Sequence, residues 1–144
     1  MELPFRIGWD ESADDVPAVV RRGRIAGPDD LDEAFLSPLR IWSSADYERQ
    51  WREGVERIVG GEDSSGLVVR LERSPRDGSF VGEWFPVWRQ DDIAVFRNQL
   101  VLPETVPGFD PLDPYRSVGR RYKGDLSEWQ VSISALELFL TTAD

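Results

Sequence analysis

The sequence contains no cysteine, no histidine and one methionine, and its single lysine, Lys123, stands against sixteen arginines. Without cysteine there is no thiol nucleophile and no thiolate ligand. Without histidine there is no imidazole base, no Ser-His-Asp triad and no Cys/His zinc site. Carboxylates, hydroxyls and arginines remain for any chemistry. Long apolar runs are also missing, since no stretch approaches the roughly 20 residues of a membrane span. The start Met1-Glu2-Leu3-Pro4-Phe5-Arg6 has neither the basic nor the apolar region of a signal peptide. The expected location is therefore the cytoplasm. Basic charge is scarce: Lys+Arg 17 against Asp+Glu 27 gives a net charge of -10. That balance disfavours direct nucleic-acid binding, which needs a basic patch to neutralise phosphates. It favours solubility and rapid encounter with a basic partner.

What is present suffices for a folded domain. A chain of 144 residues has the size of one domain, and residues 1–144 are read as such. At this length a fold buries roughly two-thirds of its unfolded surface and needs no disulfide or metal staple. A hydrophobic content of 40%, with six tryptophans, seven phenylalanines and three tyrosines, is too rich for disorder.

Periodicity predicts a principal helix over residues 44–59. Ser43-Ser44-Ala45-Asp46 offers a capping start, and Tyr47, Trp51, Val55, Ile58 and Val59 recur at spacings of three and four. Glu48 with Arg52 and Glu53 with Arg57 line the outer face, and Gly60-Gly61 supplies the stop. Such a stripe needs a sheet to cover. Leu67, Val69 and Leu71 alternate in a strand that ends in the turn Ser74-Pro75-Arg76-Asp77-Gly78. The next strand, Val81 to Arg89, carries Trp84, Pro86 and Trp88 on one face, and Pro86 marks an edge or a bulge. A third run, Ile93 to Leu102, completes a meander. Trp129, Val131 and Ile133 alternate again, and Ser134-Ala135-Leu136-Glu137 reads as the start of a short C-terminal helix. Phe5 to Trp9 and Ala18 to Ile25 look like strands joined by an acidic turn at 10–15, and Phe35 to Trp42 is a further strand candidate. The expected fold class is α+β: mainly antiparallel, sandwich-like sheet with one principal helix and a short terminal one.

Three constellations bear on chemistry. Asp14-Asp15, Asp29-Asp30 and Asp91-Asp92 are paired carboxylates, but neighbours in turns point apart, whereas an acid–base pair must converge on one bond. Asp29-Asp30-Leu31-Asp32-Glu33 is dense in oxygen ligands yet lacks the spacing of a calcium loop, and reads more simply as acids at a helix N-terminus after Pro28. No metal or cofactor is expected. Trp84 and Trp88 could offer a stacking platform to a small ligand or carbohydrate, although such aromatics more often build core.

A larger pattern runs through the chain. Ile41-Trp42-Ser43, Asp46-Tyr47-x-x-Gln50-Trp51-x-x-Gly54-x-x-Arg57-Ile58, Trp84-Phe85-Pro86-Val87-Trp88-Arg89, Asn98-Gln99-Leu100, Asp113-Pro114-Tyr115 and Ser127-Glu128-Trp129-x-Val131 follow in order. This pattern, over about residues 36 to 133, resembles a family of contact-dependent growth inhibition immunity proteins. The resemblance implies a small cytoplasmic protein, not an enzyme, that binds and blocks the C-terminal toxin domain of a delivered effector. It suggests an RNase A-like, basic toxin, which an acidic inhibitor can engage with carboxylates. The expected contact residues lie on irregular, acid-rich segments: Glu104, Asp110 and Asp113 in the proline tract Pro103 to Pro114 first, then Asp29, Asp30, Asp32 and Glu33. A monomer is expected. A Trp-based ligand-binding β domain and a carboxylate hydrolase stand as the other readings.

Overall fold

Two antiparallel sheets, one of three strands and one of five, hold the apolar alternation of the sequence in a computed structural model that describes residues 3–10, 19–121 and 127–142. The first sheet runs β1 (Arg6–Trp9), β2 (Val20–Ala26) and β3 (Asp32–Pro38), all antiparallel. Ile7 lies opposite Ile25, and Gly23 opposite Phe35. Ile7, Ile25 and Phe35 are buried while Arg6, Asp32, Ala34 and Leu36 face out, the period-two pattern of a half-buried strand. The acidic turn expected at 10–15 falls mostly outside the described residues.

Residues 28–33 do not begin a helix, contrary to expectation. Gly27 N donates to Leu31 O and Leu31 N donates to Pro28 O, closing a two-residue hairpin loop around Asp29 (φ 63) and Asp30 (φ 60). Both central residues are left-handed, as in a type I′ turn, which matches the twist of the flanking strands and which Asp tolerates better than most residues. Asp32 and Glu33 are consequently strand residues, and β3 starts three positions earlier and ends four positions earlier than the expected Phe35 to Trp42 run.

The principal helix α1 spans Ser44–Val59 as expected. Ser43 accepts from Asp46 N at 3.2 Å while Asp46 Oδ2 accepts from Ser43 N at 2.9 Å, a reciprocal cap. Gly60 caps the other end, and Gly61 (φ 108) turns the chain away. Tyr47, Trp51, Val55 and Ile58 are buried, and Val59 is half-buried. The second sheet contains β4 (Ser64–Arg73), β5 (Phe80–Gln90), β6 (Ile93–Phe96), β7 (Gln99–Val101) and β8 (Trp129–Ser132), ordered β4-β5-β6-β8 with β7 also paired to β5. The helix α2 (Ile133–Thr142) closes the described chain.

Three local expectations change. The run Ile93 to Leu102 is two strands broken at Arg97-Asn98. Pro86 is not at an edge, because β5 has neighbours on both sides. Its carbonyl accepts from Arg97 N, so its missing N–H faces the break between β6 and β7, where no ladder donor is required. The terminal helix begins at Ile133, one residue before the expected Ser134 start, with Ser132 Oγ accepting from Ala135 N at 3.1 Å.

The outer edge of β4 is closed by side chains rather than by another strand. Gln50 Nε2 donates to Gly66 O and Gln50 Oε1 accepts from Val68 N, both at 2.7 Å. Trp51 Nε1 donates to Val68 O at 2.7 Å, Ser37 Oγ donates to Val69 O, and Tyr47 Oη accepts from Leu71 N at 3.1 Å while donating to Pro38 O at 2.8 Å. Burial of that phenol pushes its pKa up to about 12. An edge so occupied offers no template for a foreign strand. Gly54 permits this approach: a Cβ there would stand 2.6 Å from Gly66 O. Trp51 then packs against Trp9, Phe35 and Tyr47, with ring centroids 4.9, 5.7 and 6.2 Å away, and ties the first sheet to α1.

Candidate partner-binding surface

The proline tract is an ordered loop pinned from within. Thr105 Oγ1 accepts from Leu102 N at 3.1 Å and donates to Leu100 O at 2.9 Å. Val106 and Phe109 are buried, and Phe109 meets Trp84 edge-on at 5.2 Å. Gly108 (φ 69) supplies the left-handed turn that drives Phe109 inward. Asp110 Oδ1 then accepts from Leu112 N at 2.9 Å and Asp110 O accepts from Asp113 N at 3.0 Å. The buried Pro114 opens a 3-10 turn, Pro114–Ser117. Tyr115 from that turn lies on α1: its hydroxyl donates to Glu53 and accepts from Gln50 at 3.3 Å, and Arg57 stacks 4.2 Å from its ring centroid. Burial and then the Glu53 carboxylate push the Tyr115 pKa well above the ordinary phenol value.

Glu104 and Asp110 are exposed, and Asp113 is half-buried with a carboxylate oxygen 4.0 Å from Arg116 Nε. Leu112, between the two aspartates, is 88% exposed. Between the loop and α1 lies a crevice of about 120 Å³ whose walls include Trp42, Asp46, Arg49, Glu53 and Leu112. Asp46 is held below the usual carboxylate range, first by the backbone and hydroxyl of Ser43 and then by Arg49, so it stays anionic.

The second set sits on the β2–β3 hairpin, on other elements than the first. Asp29 and Asp30 are exposed at the turn, but Asp29 Oδ2 accepts from Gln130 N at 2.9 Å, fastening the turn to β8. Asp32 pairs with Arg24, which raises the Arg24 pKa, and Glu33 is half-buried. Two of the four expected contact residues are thus engaged in holding the hairpin.

The competing chemistries find little support in the geometry. Asp29-Asp30 and Asp91-Asp92 occupy exposed hairpin turns, and Asp14-Asp15 lie outside the described residues. Among the described residues no group of three or more carboxylates is placed to hold a metal ion. Trp84 is fully buried with its Nε1 donating to Gln99 Oε1 at 2.8 Å, and Trp88 is half-buried with its Nε1 donating to Gly119 O at 2.9 Å. The stacking platform does not form, because the two indoles are spent on core and loop anchoring. Beside Trp88, Glu128 receives Arg97 Nε at 2.7 Å and both Arg121 Nε (2.9 Å) and Nη2 (2.8 Å). These bonds hold the Glu128 carboxyl down at about 2, with the Arg121 hydrogen bond the larger cause.

Sequence reasoning placed Gln50 and Tyr115 in the family pattern without a contact role, and it missed Leu112. Neither of the first two carried a signal of the contact it makes between the loop and α1. Leu112 had one: a large apolar side chain alone among prolines and carboxylates, out of phase with any strand or helix.

The CdiI N-terminal domain model matches residues 37–139, well over half of the chain. The chain belongs to the CdiI immunity-protein family. A chain of the solved "CdiA-CT/CdiI toxin and immunity complex from Enterobacter cloacae" superposes on this CdiI-family chain with a TM-score of 0.76 at 20% identity, covering 96% of this chain and 97% of that one. At that identity the likeness shows a shared fold. No curated protein matches the CdiI-family chain in sequence. Among its described residues no helix is long and apolar enough to cross a membrane.

Proposed function

We propose that this CdiI-family chain is an immunity protein that binds and neutralises the C-terminal toxin domain of a contact-dependent growth inhibition effector. Membership in the family, with the match running over residues 37–139 through α1, the second sheet and most of α2, is the observation that carries this reading. The chain acts as a single cytoplasmic domain, monomeric and without cofactor or catalytic activity of its own. Its partner is a basic toxin domain of the ribonuclease type, whose cationic substrate cleft an inhibitor of net charge -10 complements. Contact runs through the proline tract, with Glu104, Asp110 and Asp113 as its charged points, and then through the β2–β3 hairpin with Asp29, Asp30, Asp32 and Glu33.

Co-expression with the toxin domain encoded beside it tests the proposal, read as rescued growth and a co-purified complex. Charge reversal of Asp110 and Asp113 together should weaken binding and lower the melting temperature only slightly, the cost being the Asp110 turn bond to Leu112 N and the 4.0 Å Asp113–Arg116 pair. Unaltered affinity would move the interface to the hairpin, and failure of the parent chain to rescue growth would end the immunity reading.

A further inference from the structure

Of the large apolar side chains described, Leu112 is the most exposed. A solitary surface leucine is ordinary in itself. Three features set this one apart.

Its backbone is held before any partner arrives. Pro111 precedes it, Asp110 Oδ1 occupies its N–H at 2.9 Å, and the Asp113 N to Asp110 O bond of 3.0 Å closes the turn around it. The loop is pinned on both sides, by Phe109 against Trp84 and by the buried Pro114. A side chain on such a support loses little entropy on binding. The second feature is the crevice of about 120 Å³ at its flank, walled by Asp46, Glu53 and the Trp42 ring, with Arg49 at one side. Asp46 already accepts from Arg49 Nη2 at 2.6 Å and from Ser43 N at 2.9 Å, so the crevice's pull on a further cation rests on Glu53, whose Oε1 accepts from Tyr115. Third, Asp110 and Asp113 flank the leucine in sequence, so carboxylates stand close to an apolar tip along the loop.

We propose that Leu112 is the apolar anchor of the interface and that the acidic crevice beside it receives a lysine or arginine side chain of the toxin domain. The inference rests on the immunity reading and deepens it. The matching surface is an apolar pocket next to a cationic side chain, which the surface of a basic protein favours by charge complementarity. A buried anchor within a polar rim is also the arrangement in which interface energy concentrates.

The test uses the full chain and the purified toxin domain encoded beside it, with dissociation followed on a surface-immobilised complex. Removal of a buried leucine side chain corresponds to roughly tenfold or more in affinity, so Leu112→Ala should dissociate about tenfold faster and Leu112→Asp faster still. Leu112→Met, which refills the pocket, should stay within about threefold of the parent. All three should melt with the parent, since the side chain already stands in water. Parent-like binding by Leu112→Asp overturns the inference and leaves the immunity reading intact. A parent chain that does not bind the toxin domain at all overturns the immunity reading and takes this one with it. A Leu112→Asp variant that merely dissociates a dimer of this chain, with toxin binding unchanged, assigns the leucine to self-association and also overturns the inference.

Discussion

Glu128 shows how one carboxylate can hold two segments. Arg97, 3% exposed, reaches it from the β6–β7 break, and Arg121 reaches it as a fork from the segment preceding β8. The fork geometry gives two parallel charge-assisted bonds, the strong kind. Because its folded-state pKa lies at about 2, below the ordinary 4.5, Glu128 contributes stability that is complete above the ordinary value. That contribution is lost as pH falls from about 4.5 towards about 2. Glu128→Gln should therefore cost roughly 2 kcal/mol near neutral pH, and the difference from the parent should shrink as the solution is acidified through that window. Denaturant melts of both proteins at several pH values measure it. A pH-independent difference would mean that the pairing is not what holds the segment.

At the scale of the element, α1 decides the fold. Its buried stripe supplies packing and, through Gln50, Trp51 and Tyr47, the hydrogen bonds that β4 lacks on its outer edge. Trp51→Ala should cost about 3 to 5 kcal/mol through the cavity it opens, and it also leaves the Val68 carbonyl without its partner. A variant melting with the parent would show that the stripe is not the keystone. This helix was legible in the sequence to the residue, because the spacing of its apolar side chains, its Ser43 cap and its glycine stop all agree. The hairpin at Asp29-Asp30 was not legible. Consecutive aspartates after a proline resemble a helix start, and only strand pairing on both sides reveals that they are forced left-handed. The same holds for the proposed partner surface. The proposed contact residues Glu104, Asp110 and Asp113 stand out in the sequence, whereas the crevice forms only when the loop closes on α1, a contact that joins Gln50 to Tyr115 across 65 residues.

For the whole molecule, charge is abundant but unevenly arranged. The outer face of the first sheet carries Arg6, Arg22 and Arg24, set by their alternation with the buried Ile7, Gly23 and Ile25, together with Asp32, which pairs with Arg24. The proline loop carries Glu104, Asp110 and Asp113. A net charge of -10 makes a negative field that favours encounter with a partner of opposite charge. The field acts over about a Debye length, roughly 10 Å at 0.1 M salt and 3 Å at 1 M. Association with a basic toxin domain should accordingly be fast at low ionic strength and slow several-fold as salt rises, while the Leu112 anchor, being apolar, leaves the dissociation rate nearly insensitive to salt. Stopped-flow association across a salt series separates the two contributions. Flat association rates would mean that the carboxylates do not steer the encounter, and a dissociation rate that climbs with the same slope would mean that they, rather than the leucine, hold the complex together.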